Sequence, residues 1–121
     1  MLTLLWFHLT HHRDMFLYTK QIQKDLAPFG IRVNAISPAL IGPEDGYMWN
    51  RQNELHASSG SPYFSNDPKL VAERKIASVP MKRLGSVEEV LRSVAFLLSD
   101  DSSYTTAFNL VVDGGLSGGL H

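Results

Sequence analysis

The stretch Ile31-Arg32-Val33-Asn34-Ala35-Ile36-Ser37-Pro38 decides the fold of this chain. Its first six residues are mostly apolar, as expected for a parallel strand that helices cover on both faces. A helix is predicted before it over residues 14–27, because apolar side chains recur there at i, i+4 and i+8 in Tyr18, Ile22 and Leu26. A helix that leads into a buried strand is half of a βαβ unit, so the stretch indicates an α/β fold.

Three further helices and one further strand are predicted downstream. A short helix fits residues 47–56, and Asp67-Pro68 starts another over residues 69–76, with aspartate at the N-cap and proline at the first helical position. Ser86-Val87-Glu88-Glu89 has the spacing of a capping box and opens a helix that runs through Leu98. A second strand follows over residues 108–112, so the sequence predicts two strands in all.

Composition and charge limit the classes of function. The 121 residues are 44% hydrophobic and 19% charged, which is typical of one soluble globular domain. The formal net charge is -1 with no basic stripe, which disfavours nucleic acid as a partner. There is no cysteine, so a reducing, cytoplasmic setting is expected. The apolar start over residues 1–7 lacks a basic segment and a cleavage site, and nothing approaches the roughly 18 to 20 apolar residues of a membrane span.

The connection over residues 42–66 is long and combines glycine and proline with aromatic side chains. A connection of this length in a compact domain is more often a binding loop or lid than a linker. Its aromatic residues either line a substrate pocket or cover the apolar core, and the candidates for substrate contact are Tyr47, Trp49, Tyr63 and Phe64.

Three histidines near the start have a spacing that could hold a metal ion. His8, His11 and His12 stand at i, i+3 and i+4, which would place imidazoles on one face of a helix. No cysteine or acidic pair completes a ligand set, so we interpret them as exposed histidines and predict no metal site.

The order and the residues of these elements resemble the C-terminal half of a classical short-chain dehydrogenase/reductase (SDR). The resemblance covers about residues 17–116 and rests on three segments: residues 24–34 (KDLAPFGIRVN), residues 80–85 (PMKRLG), and residues 90–101 together with Leu110-Val111-Val112-Asp113-Gly114-Gly115. It implies part of a Rossmann-like, doubly wound parallel sheet. Residues 15–121 would then be the C-terminal part of a single SDR domain, and residues 1–14 an atypical N-terminal segment.

The resemblance also implies a nicotinamide cofactor, NAD or NADP, bound at the carboxyl ends of the strands. In the family, a Pro-Gly segment and the aliphatic residue after it meet the nicotinamide carboxamide through backbone groups. By position these residues are Pro38, Ala39 and Ile41. Ala39 replaces the usual glycine, and Gly42-Pro43 replaces the usual threonine-containing turn.

Family chemistry needs a Tyr-x-x-x-Lys pair, because a nearby cation must lower the tyrosine pKa from about 10 for acid/base work near neutral pH. The two positions fall at His8 and His12, so we assign no catalytic residue. Tyr18 is followed four residues later by Ile22, and we expect Tyr18 to pack in a helix interface. The glycine-rich phosphate loop is also absent from the sequence.

These features predict a truncated NAD(P)-dependent oxidoreductase whose intact parent transfers hydride between nicotinamide and a small alcohol or carbonyl substrate. The chain by itself is expected to be inactive, which leaves open whether it is an enzyme. The alternative is a non-catalytic protein that pairs with a full-length SDR subunit, in a homo- or hetero-oligomer. With two strands only, the isolated chain would expose apolar sheet, so we expect it to be marginally stable or oligomeric.

Overall fold

The computed structural model describes residues 3–7 and 12–118. Seven main elements follow one another along the chain: β1 (Thr3–Phe7), α1 (His12–Leu26), β2 (Arg32–Pro38), α2 (Tyr47–Ser58), α3 (Pro68–Ser78), α4 (Val87–Leu98) and β3 (Asn109–Val112). By their contacts the described residues fall into two compact units. The first comprises the residues up to Ala39 together with Glu88–Val112, and the second comprises Leu40–Val87 and the residues from Asp113 onward.

The first unit is a parallel sheet with strand order β1-β2-β3. Leu4 is opposite Val33 in the first pair of strands, and Ile36 is opposite Leu110 in the second. The central strand β2 is buried along most of its length, as its apolar run predicts. Helix α1 packs on β2. The predicted α/β architecture with a parallel sheet is therefore confirmed.

The expectation of two strands was wrong, because residues 3–7 form a third. The run Thr3-Leu4-Leu5-Trp6-Phe7 is too short for a signal segment, and its β-branched, aromatic and aliphatic residues suit a strand that pairs with β2. Helix α1 starts at His12 and thus crosses the proposed boundary at residue 14. The division of the chain into residues 1–14 and 15–121 stays a prediction.

The second unit is built on the helix pair α2 and α3, which pack against each other. Trp49, Asn53 and Ala57 follow one another at i+4 spacing along α2 and are all buried, and Val71 is their buried counterpart on α3. The predicted N-cap of α3 is confirmed, since the Asp67 side chain accepts a hydrogen bond from the Lys69 N–H at 3.0 Å.

The segment after β3 belongs to the second unit and turns back against residues 79–81. Gly114 has a φ of +60°, and the Met81 N–H donates to the Gly114 carbonyl at 3.2 Å. A Cβ on Gly114 would lie 2.8 Å from Cγ1 of Val79, so glycine is required by both backbone angle and space. The glycine pair 114–115 is therefore a structural turn.

Candidate cofactor edge and substrate loop

The carboxyl end of β2 carries the first two predicted cofactor residues. Pro38 is the last residue of the strand, opposite Val112 of β3, and the Ala39 N–H donates to the Val112 carbonyl at 3.2 Å. One residue earlier, the Ser37 hydroxyl donates to Oδ1 of Asn109 at 2.9 Å. Bonds from both strands therefore fix the backbone at this edge of the sheet.

Ile41, in the second unit, forms an isolated parallel bridge with Gly85. The Gly42 N–H donates to the Gly85 carbonyl at 2.8 Å, and the Gly85 N–H donates to the Leu40 carbonyl at 3.0 Å. In a parallel bridge of this form, the N–H and C=O of the central residue point away from the partner strand. The peptide groups of Ile41 are therefore held in place by its neighbours and directed away from Gly85.

The turn after Ile41 contains a cis peptide bond between Gly42 and Pro43. Gly46 N–H donates to the Pro43 carbonyl at 3.0 Å and closes the turn just before α2. Gly42-Pro43 is the pair that replaces the threonine-containing turn usual in the family.

The four predicted substrate-loop residues have different environments. Trp49 is buried in the α2–α3 pair, and the Phe64 ring is stacked on the His56 imidazole, with ring centroids 4.4 Å apart. Tyr47 and Tyr63 are exposed, Tyr63 by 88%. Two of the four aromatics thus belong to the packing of this unit and two face outward; their role in binding substrate stays a prediction.

A polar group that the sequence analysis missed lies within the α2–α3 pair. The Lys75 ammonium donates to Oδ1 of Asn53 at 2.7 Å and sits 5.3 Å from the centre of the Trp49 ring. Burial lowers the pKa of Lys75 below its usual 10.5. Burial and, secondly, the charge of Lys75 lower the pKa of His56 below 6.5. The one sign of this group in the sequence is that polar Asn53 lies at i+4 spacing between Trp49 and Ala57.

The remaining predictions from the sequence concern metal, catalysis and membranes. His8 and His11 lie outside the described residues, and residues 3–7 and 12–118 contain no group of three His, Asp or Glu side chains that could hold a metal ion. Tyr18 is about half exposed in the single chain, and the expectation that it packs in a helix interface stays a prediction. In the same part of the chain, no helix is long and apolar enough to cross a membrane.

A parallel sheet flanked by helices, with fixed backbone at the carboxyl end of its central strand, defines a Rossmann-like α/β protein. The profile of a family described as enoyl-(acyl carrier protein) reductase matches residues 15–117. The chain belongs to the short-chain dehydrogenase/reductase family, as the resemblance of its three segments predicted.

Individual members of the family are similar over most of this chain. The NADPH-dependent reductase BacG of Bacillus subtilis (strain 168) is 40% identical over 98 residues, which are 80% of this chain and 35% of BacG. The levodione reductase of Leifsonia aquatica is 36% identical over 99 residues, which are 82% of this chain and 33% of the reductase.

The fold is similar to that of solved family members. A crystal structure of NAD+-bound xylitol dehydrogenase is 54% identical, with a TM-score of 0.78, over 84% of this chain and 38% of that protein. The chain thus spans about a third of the length of the relatives it matches.

Proposed function

We propose that this chain is the cofactor-edge and substrate-loop part of an NAD(P)-dependent oxidoreductase that acts on a small alcohol or carbonyl compound. The observation that carries the proposal is the bridge between Ile41 and Gly85. The bridge holds the N–H and C=O of Ile41 in place and directs them away from Gly85. One donor and one acceptor so placed suit hydrogen bonds to a primary amide such as the nicotinamide carboxamide.

The residues at the strand end fit a nicotinamide group. Pro38 and Ala39 are fixed at the end of β2 by the bond from the Ala39 N–H to Val112, and Ile41 follows two residues later. Ala39 stands where the family has glycine, and its methyl group reduces the space through which a cofactor can approach the backbone. A bound nicotinamide supplies the hydride acceptor or donor of the reaction, whereas this chain's residues orient the carboxamide.

The same residues do not supply the acid/base chemistry. A tyrosine with a lysine four residues later is absent from the two positions that the family pattern assigns, which hold His8 and His12. No glycine-rich phosphate loop occurs in the sequence either. We therefore propose that the chain alone does not turn over substrate and that a segment bearing these parts must be provided.

The test is complementation with a relative. The part of the xylitol dehydrogenase that this chain does not match is co-expressed with this full chain, and NADH formation is followed at 340 nm with xylitol and NAD+. We expect turnover from the pair and none from either part alone. A stable, folded complex that binds no NADH by fluorescence would contradict the proposal.

A matched pair of variants locates the cofactor contact in the same assay. Ile41→Pro removes one N–H that the bridge to Gly85 does not use, whereas Ile41→Val keeps both backbone groups. We expect Ile41→Pro to weaken NADH binding about tenfold, the loss of roughly one hydrogen bond, and Ile41→Val to bind as the original chain does. Equal affinity in the two variants would remove Ile41 from the site.

A second candidate function is favoured by the surface of α4. This helix buries Val90 and Leu97, but on another side it exposes Val87, Leu91 and Leu98, with Leu91 57% exposed. Apolar side chains at these spacings form a continuous stripe on a helix, and such a stripe suits contact with another protein. We propose that the stripe pairs with a full-length SDR subunit, as a non-catalytic role for this chain.

Sedimentation and co-purification test the second function. The chain with Leu91→Glu and Leu98→Glu is compared with the Leu55→Glu variant, which alters an exposed leucine of α2. We expect the original chain and the Leu55→Glu variant to associate with the intact xylitol dehydrogenase, and the double variant to remain alone. A monomer at every concentration, with a sharp cooperative thermal transition, would argue against both association and marginal stability.

A further inference from the structure

The α2–α3 pair holds a positive charge that no negative charge accompanies. Lys75 is half-buried, and its ammonium has a neutral partner, Oδ1 of Asn53 at 2.7 Å, and an aromatic one, the ring of Trp49 at 5.3 Å. Within residues 3–7 and 12–118, no carboxylate lies within 4.0 Å of the Lys75 ammonium. Moving an ammonium out of water without a counter-charge is costly, and here burial lowers the Lys75 pKa.

Two buried nitrogen atoms next to Lys75 also lack partners. Asn53 is only 2% exposed, and its Nδ2 has no hydrogen-bond partner in the described structure; the same is true of Nδ1 of His56. Asn53 and His56 are three residues apart on α2 and therefore share one side of the helix. A buried amide nitrogen without a partner is uncommon, because leaving it unpaired costs free energy.

The unused groups are mostly hydrogen-bond donors. Asn53 Nδ2 carries two N–H groups, and the Lys75 ammonium retains two after its bond to Asn53. His56 donates through Nδ1 in one of its two tautomers. A ligand that satisfies this set must bring acceptor oxygens, and a single uncompensated ammonium matches a single negative charge. A carboxylate meets both requirements.

We propose that Lys75, Asn53 and His56 form a binding site for the carboxylate of a small organic acid. Lys75 supplies the charge, Asn53 positions the ammonium from the buried side, and the partnerless nitrogens of Asn53 and His56 receive the oxygens. Binding at this site does not depend on the proposed oxidoreductase activity. Only its interpretation as substrate recognition rests on that function, since it would make the substrate a hydroxy or oxo acid.

The experiment compares two ligands that differ at one carbon. D-gluconate and D-sorbitol share a six-carbon polyol chain, and only gluconate carries a carboxylate. Each is titrated into the full chain, with the indole N–H resonance of Trp49 as the reporter because Lys75 lies over that ring. The Trp6→Phe variant assigns the resonance. We expect saturable shifts with gluconate and affinity for sorbitol at least tenfold weaker.

Three variants separate the site from general charge effects. Lys75→Met keeps most of the side-chain length without the charge, and we expect at least a tenfold loss of gluconate affinity. Asn53→Asp keeps an acceptor for the Lys75 ammonium, but its carboxylate neutralises the positive charge of Lys75. We therefore expect the same loss of gluconate affinity as in Lys75→Met. Lys69→Met removes an exposed lysine from the same helix and should leave the affinity unchanged.

The proposal is overturned by any of three results. These are equal binding of gluconate and sorbitol, undiminished gluconate binding in Asn53→Asp, or an equal loss in Lys69→Met and Lys75→Met. Lys75→Arg guards against misfolding as the cause, because it retains the charge and should bind gluconate more tightly than Lys75→Met does. None of these measurements requires cofactor or turnover, so they succeed or fail separately from the complementation assay.

Discussion

Arg32 on the central strand is hydrogen-bonded to the end of α4, where its Nη2 donates to the Leu97 carbonyl at 3.0 Å. The same guanidinium reaches the Ser99 carbonyl at 3.2 Å and the Ser102 hydroxyl at 3.0 Å, and the residue is buried. The last carbonyls of a helix have no partners within it and carry partial negative charge. The Arg32 guanidinium both donates hydrogen bonds to these carbonyls and offsets their negative charge. One side chain of the central strand β2 is thus hydrogen-bonded to the carboxyl end of α4.

Replacing Arg32 is expected to destabilise the chain strongly. Arg32→Met removes the hydrogen bonds from the guanidinium to the Leu97 and Ser99 carbonyls and to the Ser102 hydroxyl, and a hydrogen bond made by a charged group contributes about 1.5–3 kcal/mol. We expect a loss of at least about 3 kcal/mol in the free energy of unfolding, measured by urea denaturation. Arg32→Lys retains the charge but not the fork of donors and should fall between the two. If Arg32→Met and the original chain unfold at the same urea concentration, these bonds do not stabilise the fold.

The parts of the fold that are encoded locally could be predicted from the sequence. The Asp67-Pro68 pair shows where α3 begins, and the apolar run of β2 shows that the strand is covered on both faces. β1 was missed because its residue types suit a strand but a run of only five residues, Thr3 and four apolar ones, does not by itself distinguish a strand from another short apolar segment. Its identity depends on pairing with residues about 30 positions away in sequence, starting with Thr3 opposite Arg32.

The candidate site divides in the same way. The sequence indicated that Pro38, Ala39 and Ile41 lie at or just after the carboxyl end of a strand, which is where ligands bind in parallel sheets. Their contact with a cofactor is implied by the family resemblance and stays a prediction. The Lys75–Asn53 contact could not be predicted, since it joins residues 22 positions apart on two helices whose packing angle the sequence does not state. The sequence also could not show which loop aromatics are buried, because the burial of Trp49 and the exposure of Tyr63 depend on the same packing.

Gly114→Ala is expected to destabilise more than Gly118→Ala. The two glycines have nearly the same φ, +60° and +59°, so the backbone strain of about 1–2 kcal/mol is common to both. Only at position 114 does the added Cβ also meet a neighbour, Cγ1 of Val79 at 2.8 Å, whereas nothing lies within 4 Å at 118. Thermal unfolding should therefore show a lower Tm for Gly114→Ala. Equal Tm values would mean that the segment after β3 does not pack on Val79.

The N-cap of α3 gives a smaller, graded effect. Asp67→Ala removes the acceptor of the Lys69 N–H and should cost about 1 kcal/mol. Asp67→Asn keeps the acceptor and loses only the favourable charge at the helix start, so its cost should be a few tenths of a kcal/mol. Urea denaturation of the three proteins side by side checks the order. Equal losses in Asp67→Asn and Asp67→Ala would show that charge, not capping, matters at this position.

His56 makes stability depend on pH in a predictable direction. Burial first, and then Lys75 from the facing helix, hold the folded-state pKa of His56 below its usual 6.5, while the stacked Phe64 ring adds no charge. Between these two pKa values the unfolded chain binds more protons than the folded one, so stability rises with pH. The contribution is complete above about pH 6.5 and is lost as the pH falls through that window.

The corresponding measurement follows the free energy of unfolding between pH 8 and pH 5 for the original chain and for His56→Gln, which cannot titrate. Other groups titrate equally in both proteins, so their difference isolates His56. We expect the difference to be constant above neutral pH and to shift in favour of His56→Gln as the pH falls below about 6.5. A shift in favour of the original chain at low pH would mean that folding raises the His56 pKa, as a carboxylate beside the imidazole would do, and would contradict the uncompensated charge inferred at Lys75.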